Sequence, residues 1–263
     1  MYIIVIYDWK EETSQLSQTI ARALGNTAYE IQQRLLAGSP TVLTSLADPQ
    51  QALLKVKKLR KNKISTIVLD TKKVRNRVDN SMVRRFKLDR TSLYIEMYDK
   101  QQIEIPYKNI EILIPVTSIV DNSETKTVSE RKFSLGKTIV AGGIPMSKKV
   151  TYRKEIRNIN YGKFLYLCIR NKQQPVIFNQ NRLVYDGLGS AMKISQEQNF
   201  TYLINAIHQL SPEAVYDDRL LKKTSQNRLL GPTLNPDTNL DIAVEILIRY
   251  LRVSAKNNRT EIP

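Results

Sequence analysis

The sequence predicts an α+β protein: an N-terminal βααβαβ module followed by β-meander units with closing helices. Three observations carry this expectation. From Met1 to Asp70, apolar strand-like runs alternate with helical periods that have their own start and stop signals. The middle of the chain is a series of short apolar or alternating runs separated by turn residues. Near the C-terminus the apolar residues return to helical spacing. At 263 residues and 41% hydrophobic content, the chain is long enough for two domains and apolar enough for packed cores.

The N-terminal elements follow in order. Tyr2–Tyr7 is almost entirely apolar, the pattern of a buried central strand. Leu16, Ile20, Ala23 and Leu24 lie at helical spacing, and Gly25-Asn26 ends that helix. Thr27 and Glu30 make a capping box, in which the hydroxyl accepts from the Glu30 amide and the carboxylate reaches back. The helix it opens carries Ile31, Leu35 and Leu36 and stops at Gly38-Ser39-Pro40. Thr41–Leu46 is a short strand. Asp48 and Pro49 then supply an N-cap and a first-turn proline. The third helix places Ala52, Val56 and Leu59 on one face, and Ile64–Leu69 is the last strand.

This order, with the stretch GSPTVLTSLADPQQALLKVKKLRKN, resembles the C-terminal domain of the bacterial ribosomal stalk protein and the related Clp protease adaptor. The matching residues are Gly38, Pro40, Val42, Ala52 and Leu59. The resemblance covers about a quarter of the chain and implies a small α/β module used for protein–protein contact, without catalysis. The basic load on the third helix departs from it, so no functional residue is carried over.

Thr71–Arg85 is polar and basic, either a linker or the first edge strand of the next unit. Phe86–Leu88, Ser92–Tyr98, Ile103–Tyr107 and Ile110–Val116 read as a meander with a hairpin tip at Asp99-Lys100. Ser118–Ser129 is polar and predicts little regular structure. Lys163–Ile169 and Val176–Phe178 form a second hairpin around Asn171-Lys172-Gln173. Leu93–Ile105 and Leu165–Ile177 share Leu-Tyr, Lys-Gln-Gln and a final Ile at one offset, which raises a duplicated β-unit as one alternative and chance as the other.

Ser195 caps a helix with Phe200, Leu203, Ile204, Ile207 and Leu210 on one stripe. A meander closed by such a helix suggests a PH-like barrel by shape alone. Ser211-Pro212 predicts a further short helix through Leu221, Leu229–Asn239 a loop, and Leu240–Leu251 an amphipathic helix before a frayed tail from Ala255. The expected organisation is an interaction module at 1–72, a meander unit at 73–120, a basic irregular linker at 121–160, and a second β-unit with C-terminal helices at 161–263.

The net charge is +16 and is concentrated. Leu53–Arg90 holds fourteen Lys/Arg against three acids, and Arg131–Lys172 holds eleven against Glu155 alone. Such concentration points to an acidic partner or a crowded basic face. Other classes are limited by scarcity. Cys168 and His208 are the only residues of their types, so neither a disulfide framework nor a Cys/His zinc site can be assembled within the chain. GxxxxGK[ST] and GxGxxG loops are absent. No apolar run reaches the roughly 18–20 residues of a bilayer span. The N-terminus lacks the basic region and cleavage site of a signal peptide, so a cytoplasmic location is expected.

Candidate binding residues fall in three groups. On the third helix, Lys57, Lys58 and Lys61 flank Leu54 on the face opposite Ala52, Val56 and Leu59. That reads either as a solvated face with a stray leucine or as a contact surface with an apolar centre and a basic rim. The second group is Lys72, Lys73, Arg75, Arg77, Arg84, Arg85, Lys87 and Arg90, rich in arginine but interleaved only with Phe86 among aromatics. The third is Lys148, Lys149, Arg153, Lys154 and Arg157. Neither basic run carries an interfacial helix pattern or lipidation motif, which disfavours an anionic membrane as partner.

Asp186, Asp217 and Asp218 are the acids placed closest to a metal or acid–base role, and Arg219 beside them favours ion pairing instead. His208 is expected at the surface and Cys168 in a core. The reading is therefore a non-enzymatic adaptor that docks a protein partner and engages an acidic surface, with no catalytic or metal-binding residue and no cofactor. Sequence-non-specific nucleic-acid binding is the alternative, and an Asp-dependent metal enzyme a distant second. The identity of the protein partner and the oligomeric state stay open.

Overall fold

Strand β1, Tyr2–Ile6, sets the pattern for the N-terminal half. Successive side chains on a strand point to opposite faces, so an apolar strand implies cover on both sides. The computed structural model describes residues 1–9, 13–75, 81–133 and 147–260, with side chains outside 119–161 and as far as 256. After β1 come α1 (Thr13–Leu24), α2 (Ala28–Leu36), β2 (Thr41–Leu46), α3 (Pro49–Lys61) and β3 (Thr66–Asp70). A one-turn helix α4 (Thr71–Arg75) leads on to β4 (Val83–Leu88), β5 (Ser92–Met97) and β6 (Gln102–Pro106). Two long strands follow, β7 (Ile110–Phe133) and β8 (Ser147–Ile169), then β9 (Val176–Asn179). The chain closes with α5 (Gln196–Leu210), β10 (Val215–Tyr216), α6 (Lys223–Leu230) and α7 (Pro236–Thr260).

The fold is α+β. The first sheet has order β2-β1-β3, with β1 antiparallel to both neighbours. Its helices carry the predicted caps. The Thr27 hydroxyl accepts from the Glu30 amide, and the Glu30 carboxylate accepts from the Thr27 amide. Asp48 accepts from the Gln50 amide at 2.9 Å, with Pro49 in the first turn of α3. On one face Ile4, Ile6 and Leu43 pack beneath Leu16, Ile20, Ile31, Val56 and Leu59 of α1–α3. On the other, Ile3, Val5, Val42, Ile67 and Leu69 pack against Leu229 and Leu230 of α6 and Ile242–Ile248 of α7.

The second sheet has order β10-β7-β8-β9 and the third β4-β5-β6. Strand β8 shows why the second sheet is a shared wall. Tyr166 and Cys168 face the core that contains α7, whereas Leu165, Leu167 and Ile169 face a core shared with β4–β6 and with Phe200, Leu203 and Ile207 of α5. Ser195 caps α5 by accepting from the Gln198 amide. The chain divides into two units, 1–118 with 162–263, and 119–161. The second unit consists of the parts of β7 and β8 beyond Ser118 and before Gly162, with residues 134–146 between them outside the description.

Several local expectations give way to tertiary context. The polar stretch Ser118–Ser129 lies within β7 rather than in irregular chain, because strand pairing overrides weak propensity. Thr71–Arg75 is helical. No helix spans Ser211–Leu221: Val215-Tyr216 pair parallel with Ile112-Leu113 of β7, and Arg219–Leu221 is a single 3₁₀ turn. Helix α6 occupies Lys223–Leu230 and ends at Gly231, whose φ of 68° suits a glycine terminator. The expected loop therefore shrinks to the residues between α6 and α7, and the expected tail is helical as far as Thr260. Helix α7 is not amphipathic in use. Ile242 to Ile248 are all buried, because both sides of that stretch face a sheet.

The two similar hairpins differ in register. Leu93 pairs with Ile105, but Leu165 pairs with Phe178, one residue beyond the aligned Ile177. A one-residue shift reverses the faces, and Ile105 and Ile177 accordingly enter different cores.

Candidate functional site

The outer face of α3 is built by the helix period alone. With Ala52, Val56 and Leu59 in the core, residues near 180° around the helix must face water. These are Leu54, 59% exposed, and exposed Lys57, Lys58 and Lys61, while Leu53, about 100° around the helix from Ala52, is 58% exposed on the flank beside Leu54. The basic residues on the flanks have internal work. Lys55 Nζ donates to the Leu24 carbonyl at the end of α1, at 2.9 Å. Arg60 donates to the Thr66 hydroxyl at 3.0 Å and to the Thr66 carbonyl. The ammonium groups of Lys57, Lys58 and Lys61 form no ion pair or hydrogen bond with a described residue, although the Lys58 carbonyl accepts from Asn62 Nδ2 at 2.8 Å. The result is a stripe with two leucines at its start and three unpaired ammonium groups toward its C-terminal end, where the helix dipole favours cations.

Leu53 widens this surface on one flank and was not singled out from the sequence. It sits one residue before Leu54, about 100° around the helix, so the wheel places it on the flank and does not mark it as part of the outward face.

The arginine-rich run is divided by the fold. Lys72 and Lys73 are exposed on α4. Arg75 donates to Asn239 at 3.0 Å and pairs with Asp241, so it ties α4 to α7. Burial raises the pKa of Asp241, opposed by backbone hydrogen bonding and by the charge on Arg75. Arg84 pairs with Glu96 at 3.2 Å. On β4, Arg85 stands opposite Glu96 and Lys87 opposite Tyr94. Tyr94 in turn stands opposite Glu104 and donates its hydroxyl to that carboxylate at 3.1 Å. The outer face of this sheet thus carries rows of mixed charge around an aromatic, and its carboxylates would repel a phosphate. Arg90 is exposed beyond the end of β4. Arg77 lies outside the described residues, as do the side chains of Lys148, Lys149, Arg153, Lys154 and Arg157, whose backbone belongs to β8.

Of the three acids, Asp217 serves packing. Asp217 is buried and holds Arg219 through both carboxylate oxygens, at 2.6 to 3.0 Å. Arg219 also donates to the Ser39 carbonyl and lies 5.4 Å from the Tyr250 ring centroid. One guanidinium therefore joins the turn before β2 to α7. Asp186 and Asp218 are exposed. Among the described residues, no group of three or more His, Cys, Asp or Glu is placed to hold a metal ion, and no helix is long and apolar enough to cross a membrane. His208 is exposed and stacks on Tyr216 with ring centroids 4.4 Å apart. Cys168 is fully buried, and burial pushes its thiol pKa up to about 12. Comparison with protein-family models, with curated proteins and with solved structures finds no match to this chain.

Proposed function

We propose that the chain is a non-enzymatic binding protein of the cytoplasm, an adaptor that docks a protein partner with an acidic surface through the outer face of α3. The observation that carries this reading is the pair Leu53–Leu54, more than half exposed, next to three lysines without internal partners. An apolar centre with a charged rim is the usual anatomy of a protein contact. The likeness of the N-terminal segment to the stalk-protein and Clp-adaptor module points the same way. The opposite face of that module's sheet is closed by α6 and α7, which leaves the helical side available to a partner.

The test is capture from native lysate with the intact chain and with Leu53→Glu/Leu54→Glu. The adaptor reading expects a partner that is retained at moderate salt and lost in the variant, while the melting temperature stays unchanged. Equal capture by both proteins would remove the α3 face. The competing reading is non-specific nucleic-acid binding, favoured by the net charge of +16. A labelled mixed-sequence oligonucleotide across a salt series separates the two, because phosphate binding weakens by orders of magnitude as salt rises.

A further inference from the structure

Helix α2 and the C-terminal end of α6 border a groove of about 480 Å³ whose lining includes Tyr29, Glu30, Arg34, Thr41 and Arg228. Two of these residues hold orphan polar atoms. Thr41 is fully buried at the start of β2, and its hydroxyl has no hydrogen-bond partner. The Nη1 of Arg34 is also buried without a partner. Buried polar atoms are nearly always hydrogen-bonded, so two orphans lining one groove indicate an absent partner.

The ordinary partner for Arg34 is Glu30, one turn earlier in the favourable orientation. The capping box takes that carboxylate away. Glu30 accepts from the Thr27 amide and from Asn26 Nδ2, and no ion pair joins it to Arg34. Burial lowers the pKa of the Arg34 guanidinium, and the charge on Glu30 offsets this only in part. Arg228, in the last turn of α6, is exposed and pairs with no described residue.

We infer that this groove binds an oxyanion, the phosphate or carboxylate of a small molecule, between Arg34, the Thr41 hydroxyl and Arg228. The chemistry selects the class. A guanidinium only donates, and an orphan hydroxyl can donate, so the ligand group must accept. Two arginines outweigh the one carboxylate on the lining, Glu30, whose oxygens face the Thr27 amide and Asn26, and they suit the two-oxygen edge of phosphate or carboxylate. Tyr29, 70% exposed on the same lining, offers a flat apolar surface for the ligand's body. The site is separate from the α3 face and does not depend on the adaptor reading.

The experiment is a titration of the full chain with sodium phosphate and, in parallel, sodium acetate, at constant ionic strength maintained with chloride. Amide shifts of Arg34, Thr41 and Arg228 and the melting temperature are the readouts. At least one anion is expected to give saturable shifts at these residues, and the stronger of the two identifies the group. Arg34→Gln should weaken binding by about tenfold or more, the loss of a charge-assisted hydrogen bond. Lys57→Gln/Lys58→Gln/Lys61→Gln should leave binding unchanged, which separates the groove from general attraction to a basic protein. Thr41→Val should weaken binding while the anion-free protein melts no lower than the parent, because valine removes an unsatisfied hydroxyl at similar volume. The inference is overturned if neither anion perturbs the groove, or if Arg34→Gln binds as the parent does. It is equally overturned if Thr41→Val lowers the anion-free melting temperature, since the hydroxyl would then already have a partner.

Discussion

The two faces of the β2-β1-β3 sheet are covered from different parts of the chain. On one, Ile4, Ile6 and Leu43 lie under α1–α3, the helices that connect these same strands. On the other, Ile3, Val5, Val42, Ile67 and Leu69 meet α6 and α7, which arrive after the whole β-rich middle of the chain. The first face is a local product of its own connections. The second is closed by long-range ties, including Arg75 to Asn239, Arg219 to the Ser39 carbonyl, and Arg249 to the Val68 carbonyl. The difference shows that the N-terminal module is not a free-standing unit here. Its sheet and the second sheet share α7 as a common core.

The largest effect should come from removing that cover. A chain ending at Asn235 keeps α6 but loses the α7 part of the cover over the second face, and it should lose cooperative unfolding and aggregate. A soluble, cooperatively melting truncation would show that the first face suffices. Single core deletions sharpen the same point. Leu43→Ala on the helical face and Leu69→Ala on the closing face should each cost about 2–5 kcal/mol in urea unfolding. Both should shift one transition, whereas two separate transitions would make the faces independent.

Smaller effects follow at the ties and caps. Asp217→Asn weakens the hold on Arg219 and should cost about 1–3 kcal/mol, read from the same unfolding curves. Thr27→Ala removes half of a capping box on the local face and should cost about 1 kcal/mol. An equal or larger loss at Thr27 would mean that the local face dominates stability. Least perturbing is chemical labelling of Cys168 in the parent protein. With its pKa near 12, the thiolate fraction at pH 8 is on the order of 10⁻⁴, so alkylation should be absent until denaturant opens the core around α7.

Much of the N-terminal module was legible because its signals act within a turn or two of helix. The Thr27–Glu30 box, the Asp48 cap and the alternation of apolar faces all operate at short range. The exposure of Leu54 on α3 followed from the same wheel, whereas that of Leu53, on the flank, did not. The C-terminal region was less legible. Val215-Tyr216 became a strand because β7 presented an edge, and Ser118–Ser129 became strand despite a polar composition. Neither event has a local signal strong enough to announce it.

By itself the sequence determined the α+β class, the order of the N-terminal elements, the caps, and the two surfaces of α3. Each depends on residues three or four apart along one helix, or two apart along one strand. Only the tertiary structure decided that the Ile242–Ile248 stretch of α7 is buried on all sides and that Arg75 and Arg84 are held by acids. It also decided that Arg34 is left without a carboxylate beside a buried, unpartnered Thr41 hydroxyl. The burial of α7 and the hold on Arg75 depend on faces that meet across more than a hundred residues of chain, and the Arg84 pair and the Arg34 groove depend on strand pairing and packing that composition and periodicity do not record.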